Sequence, residues 1–386
     1  MRDAGVVIIA DSLDSGAIDR AAADTAIAVA GRGWRVLAVS AGGNFVRELK
    51  RADVDHLQMA VATRDPFSTR GNLRRMAEAV KSFDAAIIHA FTPDAAYYAS
   101  KVSARLGIPY VASYLRIYTR RLFSLSPYRA PYLARAGMVI APSDFMGSFL
   151  QAAYRIPHDR IAIIPAWIDA DVYDRRAVSA ERIIRAARSL RIPEDKFIIV
   201  SLAGLEKPKG IPTLLEALAA LPGKKRRNVQ LIIASPRKGS PRVRRRLAAQ
   251  VAKLGLVDCV HIATEQTDIP AILMLSDVYV ATDVEPRAFQ PHVLQAESLG
   301  RPILAPNLGA TGEYVFDADA VRLYEPGDAP ALCALIAGSM DMSKDLRERI
   351  ASKAHSHIRI NFSRENLAPK TADIYGYVLN RGKKRA

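Results

Sequence analysis

The chain has 386 residues, 50% of them hydrophobic, and a formal net charge of +16 from 55 basic and 39 acidic residues. Length and apolar content are enough for two cores of ordinary domain size. No stretch reaches the roughly 18–20 continuous apolar residues of a transmembrane helix, so a membrane-spanning protein is excluded. The charge favours anionic partners such as phosphate groups, acidic lipid or nucleic acid, with a basic surface kept for solubility as the alternative.

Cysteine usage and the N-terminus indicate the compartment. Cys259 and Cys333 both lie in apolar contexts, which favours free thiols in a reducing compartment over a disulfide. The opening MRDAGVVIIADSLDSG contains an apolar run too short for a signal-peptide core. We therefore expect a cytoplasmic protein, and leave open a peripheral contact with an anionic membrane at its inner face.

Strand-like and helix-like segments alternate through the first half of the chain. Short apolar or β-branched runs predict strands at 6–10, 35–40, 56–61, 85–89, 110–113, 138–141 and 160–165. Amphipathic or alanine-rich segments predict helices at 20–32, 44–51, 73–82, 94–106 and 144–154. This alternation implies a parallel sheet covered on both faces.

The same pattern restarts after a helical linker near 177–190. Strands are predicted at 196–202, 229–234, 259–263, 278–281, 302–305 and 321–324. Helices are predicted at 211–221, 243–254, 269–275 and 291–299, and three more run to the C-terminus, the last over about 364–379. We therefore expect an α/β protein with domains at 1–170 and 171–363.

The most informative stretch is 284–315, VEPRAFQPHVLQAESLGRPILAPNLGATGEYV. It follows a predicted strand and contains a predicted helix, a second strand and a glycine-bearing turn. A loop between a strand and a helix N-terminus is where α/β sheets bind phosphorylated ligands. A ligand site is therefore expected here.

This stretch and others, in order and spacing, resemble the family 4 glycosyltransferases. Ala288, Phe289, Ala296 and Gly300 are in register with the family pattern E-A-F-G-x-x-x-x-E-A-x-x-x-G. The other matching segments are GAIDR, GRGWRVLAVSAGG, ARAGMVIAPSDFMGSFL, IAIIPAWID, KPKGIPTLLEAL and DIPAILMLSDVYVATDVEP. The resemblance covers nearly the whole chain. It implies the GT-B fold, two Rossmann-like domains facing a central cleft, with a C-terminal helix at 364–386 that returns to the first domain.

The resemblance also implies a nucleotide-sugar site whose motif acids are replaced here. Arg287 and Gln295 stand at the positions of the family's two glutamates. Gln295 can still hydrogen-bond a ribose diol, and Arg287 can hold a phosphate or carboxylate bidentately. Glu313 matches the acid of the family's G-G-x-x-E turn, with an acid near a surface turn as the alternative.

The expected diphosphate site keeps one of its two cations. Gly204 replaces the arginine of the family pattern G-R-x-x-x-x-K-G, whereas Lys209 keeps the lysine. A lysine at a helix N-terminus still makes a phosphate site, and Lys207 can supply the missing charge. The alternative is that Lys209 only caps a solvated turn. Gly16 would let the first-domain loop approach the donor.

Catalytic and metal-binding residues are less well indicated. The family's histidine after the fifth strand is absent, because Leu115 and its neighbours occupy that place. His89 at a strand end and Asp19 in the GAIDR segment are the catalytic candidates, with core packing as the alternative for His89. The seven histidines show no metal-ligand spacing with cysteine or paired acids, so we expect no metal site.

The segment 116–135, RIYTRRLFSLSPYRAPYLAR, mixes five arginines with aromatic residues. Arg116, Arg120, Arg121 and Tyr128 suit a lipid-linked or polysaccharide acceptor or an anionic membrane face. A helix pair with a basic exposed face is the alternative. The basic runs 224–227 and 242–246 are interpreted as solvated surface.

The resulting hypothesis is a retaining, metal-independent glycosyltransferase without a cofactor. It would move a sugar from a nucleotide diphosphate donor, its substrate, to a cell-envelope or polysaccharide acceptor. The replaced motif residues favour an alternative, a non-catalytic GT-B relative that acts as a binding or scaffolding partner in glycan assembly. A nucleic-acid partner rests on charge alone and is not expected.

Overall fold

The computed structural model describes residues 4–14, 16–63, 65–118, 126–193, 195–203 and 210–383. The chain divides into two compact units. Unit 1 comprises Met1–Ala166 and Arg364–Ala386, and unit 2 comprises Trp167–Ser363. Among the described residues, none of the helices combines the length and apolar character that crossing a bilayer requires.

Unit 1 is built on a seven-stranded sheet in the order β3-β2-β1-β4-β5-β6-β7. The strands are β1 Gly5–Ile9, β2 Arg35–Ser40, β3 Asp55–Gln58, β4 Ala85–Ala90, β5 Tyr110–Ser113, β6 Met138–Ala141 and β7 Ile161–Ile163. Neighbouring strands pair in parallel. The chain runs outward from β1 through β2 and β3 and then returns to β4. The boundary between β1 and β4 is therefore the topological switch point, where open α/β sheets bind ligands.

In the described part of unit 1, six α-helices connect these strands: α1 Ala17–Ala30, α2 Val46–Arg51, α3 Pro66–Ser82, α4 Pro93–Leu106, α5 Ser126–Ala134 and α6 Asp144–Tyr154. Short polar side chains start several of them. Asp65 accepts from the N–H groups of Phe67 and Ser68, and Thr92 accepts from that of Ala95. A proline follows each of these two caps, where its fixed φ suits the first helical turn.

Unit 2 repeats this architecture with a six-stranded sheet in the order β10-β9-β8-β11-β12-β13. The strands are β8 Phe197–Leu202, β9 Val229–Ala234, β10 Val260–Ala263, β11 Val278–Val280, β12 Ile303–Pro306 and β13 Val321–Tyr324. All these neighbours pair in parallel. The switch point of this sheet lies between β8 and β11.

The helices of unit 2 are α7 Ala180–Ser189, α8 Ile211–Ala219, α9 Gly223–Arg227, α10 Pro241–Lys253, α11 Ile269–Leu275, α12 Pro291–Ser298, α13 Ala329–Met340 and α14 Lys344–Asn361. A 3-10 helix at Gly309–Tyr314 follows β12. The core between the sheet and these helices includes Ile199, Leu214, Leu231 and Ile336, each 0% exposed. Burying such aliphatic side chains is the main stabilising contribution to each unit.

The C-terminal segment forms two helices, α15 Arg364–Leu367 and α16 Lys370–Lys383. The prediction of one long helix at 364–379 is therefore wrong. Pro369 separates the two helices, because proline disfavours helical geometry in the preceding residue and lacks an N–H. α16 packs within unit 1, where the Tyr375 hydroxyl lies 2.6 Å from His89 Nδ1 and Arg381 bonds Asp159 at 2.6 Å.

Gly300, just after α12, allows close packing against α14. It has φ +69°, and a methyl group added there would lie 2.5 Å from the Cβ of Ala351. Gly255 has a similar φ of +66° but faces open space. Comparing substitutions at Gly300 and Gly255 therefore distinguishes the free-energy cost of a left-handed backbone from that of a steric clash.

We expect Gly300→Ala to lower the free energy of unfolding of unit 2 by about 3 kcal/mol, because backbone strain and overpacking add. Gly255→Ala, with strain alone, should cost about 1 kcal/mol. Urea denaturation of both variants measures the difference. Equal losses would show that α12 and α14 can separate without cost.

Candidate functional site

The carboxyl edge of the unit 2 sheet is closely packed at its switch point. Gly210, which starts α8 after β8, has φ +83°. A Cβ at this position would lie 1.7 Å from the carbonyl oxygen of Thr282, just beyond β11. Only glycine fits there, so the end of the β8–α8 loop is fixed against the end of β11.

The loop that follows β11, residues 281–290, is held from its other side. The Ala310 N–H donates to the Arg287 carbonyl at 3.3 Å, and the Tyr324 hydroxyl donates to the Ala281 carbonyl at 2.7 Å. Gly309 has φ +63°, and a Cβ there would lie 2.7 Å from the Arg287 N and O atoms. The main chain of this loop is therefore fixed before any ligand binds.

Asp283 organises the side chains of the loop. Its Oδ1 accepts from Arg287 Nε at 2.5 Å, and its Oδ2 accepts from Gln290 Nε2 at 3.3 Å. The Arg287 side chain is 59% exposed. Because Asp283 engages Nε and the side chain is largely exposed, the terminal nitrogens of the guanidinium can bind an anion.

Two further polar residues extend the group along α12. His292 Nδ1 lies 2.8 Å from Gln295 Oε1. An amide oxygen only accepts, so the proton of this bond resides on Nδ1. Burial lowers the pKa of His292, which keeps the ring neutral. The amide nitrogen of Gln295 thus remains a donor. We call Asp283, Arg287, Gln290, His292 and Gln295 the donor cradle.

The N-terminus of α12 itself offers little to an anion. The Gln290 N–H donates to the Tyr314 hydroxyl at 3.3 Å, and the Val293 N–H donates to the Gln290 carbonyl at 3.1 Å. Pro291 has no N–H. In this described first turn only His292 keeps an N–H outside these bonds, so the usual helix N-terminal phosphate site is weakened.

Gln290 adds an unusual acceptor. The residue is 4% exposed, and its Oε1 is buried without a hydrogen-bond partner among the described residues. The bond from Nε2 to Asp283 fixes this orientation of the amide. A buried acceptor without a donor costs free energy that a ligand hydroxyl or N–H would recover.

The structure places the predicted donor-site residues as follows. Arg287 and Gln295 both lie in the donor cradle, whereas Glu313 is exposed on the 3-10 helix Gly309–Tyr314. Lys207 and Lys209 lie outside the described residues. Gly16 belongs to unit 1, where it precedes α1.

A buried carboxyl that is hydrogen-bonded to a histidine lies on the same helix, α12. Glu297 is 1% exposed, and its Oε1 accepts from His357 Nδ1 of α14 at 2.7 Å. The His357 ring stacks on Phe316 with centroids 4.8 Å apart. Burial raises the pKa of Glu297 to about 7, although the His357 bond acts in the opposite direction.

The switch point of unit 1 contains an acid that the sequence analysis did not single out. Asp11 directly follows β1 and Ala10, and its Oδ1 accepts from Thr92 Oγ1 at 2.5 Å. The pKa of Asp11 is raised to about 6, mainly by burial and also by the nearby charges of Asp94 and Asp19. The hydrogen bond from Thr92 acts in the opposite direction. A perturbed carboxyl at a switch point is a functional-site candidate.

Asp19 and Gly16 shape the loop beside Asp11. Asp19 Oδ2 accepts from Ser12 Oγ at 2.9 Å and from the N–H groups of Asp14 and Gly16 at 3.2 and 3.3 Å. A Cβ at Gly16 would lie 3.3 Å from the Asp19 carboxylate. Asp19, a catalytic candidate from the sequence, thus holds the loop together.

His89, the other catalytic candidate, lies in the core of unit 1. It is 0% exposed; Nδ1 lies 2.6 Å from the Tyr375 hydroxyl and Nε2 lies 2.9 Å from Ser113 Oγ. Burial lowers the pKa of His89 to about 3. This is the core arrangement given as the alternative, with side-chain rather than backbone partners.

The predicted acceptor face is described in part. The Arg116 guanidinium lies 4.9 Å above the Tyr118 ring, and Tyr128 is 66% exposed. Arg129 pairs with Asp94 at 2.5 Å. Arg120 and Arg121 lie outside the described residues.

Asp11, Asp283 and Gln290 were missed by sequence reasoning, although one signal was available. Asp11 follows β1 after one residue, and Asp283 follows β11 after two residues. An acid just beyond a buried parallel strand lies at the ligand edge of the sheet. No sequence pattern distinguished Gln290.

The two parallel sheets, each with polar groups at its switch point, match solved glycosyltransferases of the GT-B fold. One from Rickettsia africae has a TM-score of 0.86 at 22% identity, covering 98% of this chain and 99% of that one. Anabaena HepE in complex with UDP has a TM-score of 0.81 at 21% identity, covering 97% of this chain and 100% of that one. The predicted GT-B α/β fold is confirmed.

Family models identify the chain more closely. The model described as Glycosyltransferase Family 4 matches residues 18–172, and the one described as Glycosyl transferases group 1 matches residues 183–357. The chain belongs to the family 4-like glycosyltransferases, as the sequence motifs indicated.

A characterised relative aligns over part of its length. The lipopolysaccharide 1,2-N-acetylglucosaminetransferase of Salmonella typhimurium is 25% identical over 238 residues, 60% of this chain and 60% of the relative. The chain thus spans about three fifths of the length of that relative.

Glu297 makes the stability of unit 2 depend on pH. Its folded-state pKa of about 7 exceeds the ordinary value of 4.5, so the folded state binds more protons than the unfolded state between these values. The free energy of unfolding therefore falls as pH rises from about 4.5 to 7.

At pH 8 we expect Glu297→Gln to raise the free energy of unfolding by about 1–3 kcal/mol relative to the native chain. Urea denaturation measures this difference. The amide keeps an acceptor for His357 Nδ1 and removes the buried charge. At pH 4, below both pKa values, the native carboxyl is mostly protonated in both states, so the difference should nearly vanish. A gain that is the same at pH 4 and pH 8 would contradict this account.

Proposed function

We propose that the chain transfers a sugar from a nucleoside diphosphate donor to a cell-envelope or polysaccharide acceptor on the cytoplasmic side of the membrane. The transfer is retaining and needs no divalent metal. The observation that carries the proposal is the donor cradle, a preorganised polar group at the switch point of unit 2 in a chain of this family.

Known relatives support the substrate classes. The Salmonella relative is named as a lipopolysaccharide transferase, which suggests a lipid-linked glycan acceptor. The Anabaena neighbour was solved with UDP and with UDP-glucose, which suggests a uridine diphosphate donor. UDP is therefore the first nucleotide to test.

Side-chain cations, Arg287 among them, contribute more to diphosphate binding in this chain than the N-terminus of α12 does. The first turn of α12 has few free N–H groups, so positive charge must come from side chains. The Arg287 guanidinium, oriented by Asp283, supplies one cation, and Lys209 and Lys207 supply the others. Cations are what the reaction needs, because negative charge grows on the leaving diphosphate as the glycosidic bond breaks.

The remaining donor contacts are assigned by hydrogen-bonding chemistry. Gln295 donates its amide N–H to a ribose hydroxyl, because its Oε1 is held by His292. Gln290 Oε1 accepts from a hydroxyl or N–H of the donor. Glu313 is a further ribose or sugar contact, and Gly16 lets the loop after β1 approach the donor without a side chain.

Unit 1 supplies the acceptor side. A neighbouring hydroxyl of the acceptor sugar donates to the ionised Asp11 carboxylate, which aligns the acceptor, while the attacking hydroxyl gives its proton to the departing diphosphate oxygen. The new bond joins the acceptor oxygen to the anomeric carbon as the bond to diphosphate breaks. Arg116 and Tyr128, with Arg120 and Arg121, contact the glycan or its lipid carrier at the membrane face.

Diphosphate binding is tested by calorimetry with UDP. Arg287→Ala and Lys209→Ala should each weaken UDP binding at least roughly tenfold, since each removes about one charge-assisted hydrogen bond. Lys344→Ala, an exposed cation on α14, is the matched control and should bind as the native chain does.

Chelation of divalent metal should leave UDP binding and turnover unchanged. If no nucleotide binds the native chain, the enzyme proposal fails and the non-catalytic scaffold replaces it. If Arg287→Ala keeps full affinity, Arg287 is removed from the site.

Asp11→Asn should lower transfer to alkyl glycosides, used as acceptor surrogates, by roughly 10- to 100-fold. The activity of the native chain should rise as pH increases through about 6, because only the ionised carboxylate accepts the hydrogen bond. The activity of the Asp11→Asn variant should not show this rise. Mass spectrometry of the products measures both. Asp14→Asn, an exposed acid of the same loop, is the control. An Asp11 variant with the native pH profile would exclude the assigned role.

A further inference from the structure

Positive charge is concentrated in one part of unit 2. Residues 217–257 contain eleven lysines and arginines and neither Asp nor Glu. Six of these cations are exposed on α10 and on the turn that precedes it, and we call them the α10 basic face: Arg237, Lys238, Arg242, Arg245, Arg246 and Lys253. The net charge of the chain is thus not evenly distributed over its surface.

The α10 cations share one side of the helix. Arg242, Arg245, Arg246 and Lys253 follow helical spacing on the exposed side, whereas Leu247 and Val251 are buried. Arginines three and four positions apart repel one another, and cations in a first helical turn oppose the helix dipole. The helix therefore carries an arrangement that costs stability.

Two other exposed helices of this chain offset that cost with an acid of their own. Arg74 pairs with Glu78 on α3 at 3.4 Å, and Arg185 pairs with Glu181 on α7 at 2.6 Å. Across the part of the chain that the structure describes, no acid pairs with a cation of the α10 basic face. An ordinary solvated face would resemble α3 and α7, so the difference indicates an external anionic partner.

We propose that the α10 basic face docks the protein on an anionic phospholipid surface. Residues 217–257 contain no aromatic residue, so the face has no aromatic platform for stacking bases and no aromatic side chain to insert among lipid tails. It is suited to electrostatic attachment to many mobile headgroups. The choice of a bilayer as the partner rests in part on the proposed function, because a lipid-linked acceptor is located in a membrane.

Vesicle flotation tests the proposal with the full chain. The native protein should float with phosphatidylcholine vesicles that contain about 30% phosphatidylglycerol, remain behind with pure phosphatidylcholine, and be released as salt rises from about 0.1 to 0.5 M. Failure to bind the anionic vesicles, or equal binding to the neutral ones, would overturn the proposal.

The variant Arg242→Glu/Arg245→Glu/Arg246→Glu should lower the partition coefficient by about 100-fold or more, since each arginine contributes roughly fivefold. The control Arg188→Glu/Lys344→Glu/Arg349→Glu makes the same charge change on exposed positions of α7 and α14. It should stay within about threefold of the native value. Equal losses in the two triples would show that net charge, not this face, drives binding.

Two further measurements complete the test. UDP calorimetry on the α10 triple should give native affinity, which confirms folding and separates docking from the proposed enzyme function. A labelled DNA duplex is the competing ligand. Tighter binding to the duplex than to the anionic vesicles, lost in the α10 triple, would assign the face to nucleic acid and overturn the lipid assignment.

Discussion

Parallel strands covered on both faces confine the chemistry of this protein to the strand ends. The β1 and β8 strands are almost fully buried, so ligand-binding polar groups must lie just beyond the strands. Each sheet has one switch point, and each switch point has one organising acid, Asp11 in unit 1 and Asp283 in unit 2. The two acids differ in partner: Asp11 accepts from the neutral hydroxyl of Thr92, whereas Asp283 accepts from the cation of Arg287.

Asp283 also explains how the donor side tolerates its altered motif. Arginine at position 287 would be a mobile surface cation without a nearby carboxylate, and Asp283 fixes it through Nε. The same carboxylate fixes the amide of Gln290, whose Oε1 is left as a buried acceptor. At the positions of the family's two acids, the cradle thus has an oriented cation, Arg287, and an amide, Gln295. Such a set repels a diphosphate less than two glutamates would.

The sequence predicted the sheets better than the sites. Strands at Met138–Ala141, Val229–Ala234 and Val321–Tyr324 have the predicted bounds, because β-branched runs are unambiguous there. Helix α3 begins at Pro66, earlier than predicted, since Asp65 followed by proline is a cap signal that outweighs weak apolar spacing. Side-chain partners were not predictable. Periodicity placed His89 at a strand end, but not against Tyr375, 286 positions away.

Net charge indicated an anionic partner but not where on the chain the charge lies. The described donor cradle combines one cation with one acid, and the Asp11 region combines Asp11, Asp19 and Asp94 with Arg116 and Arg129. The excess lies instead on residues 217–257, away from these groups in sequence. Because the proposed attachment charges lie outside the donor cradle, substitutions can change surface attachment and substrate binding separately.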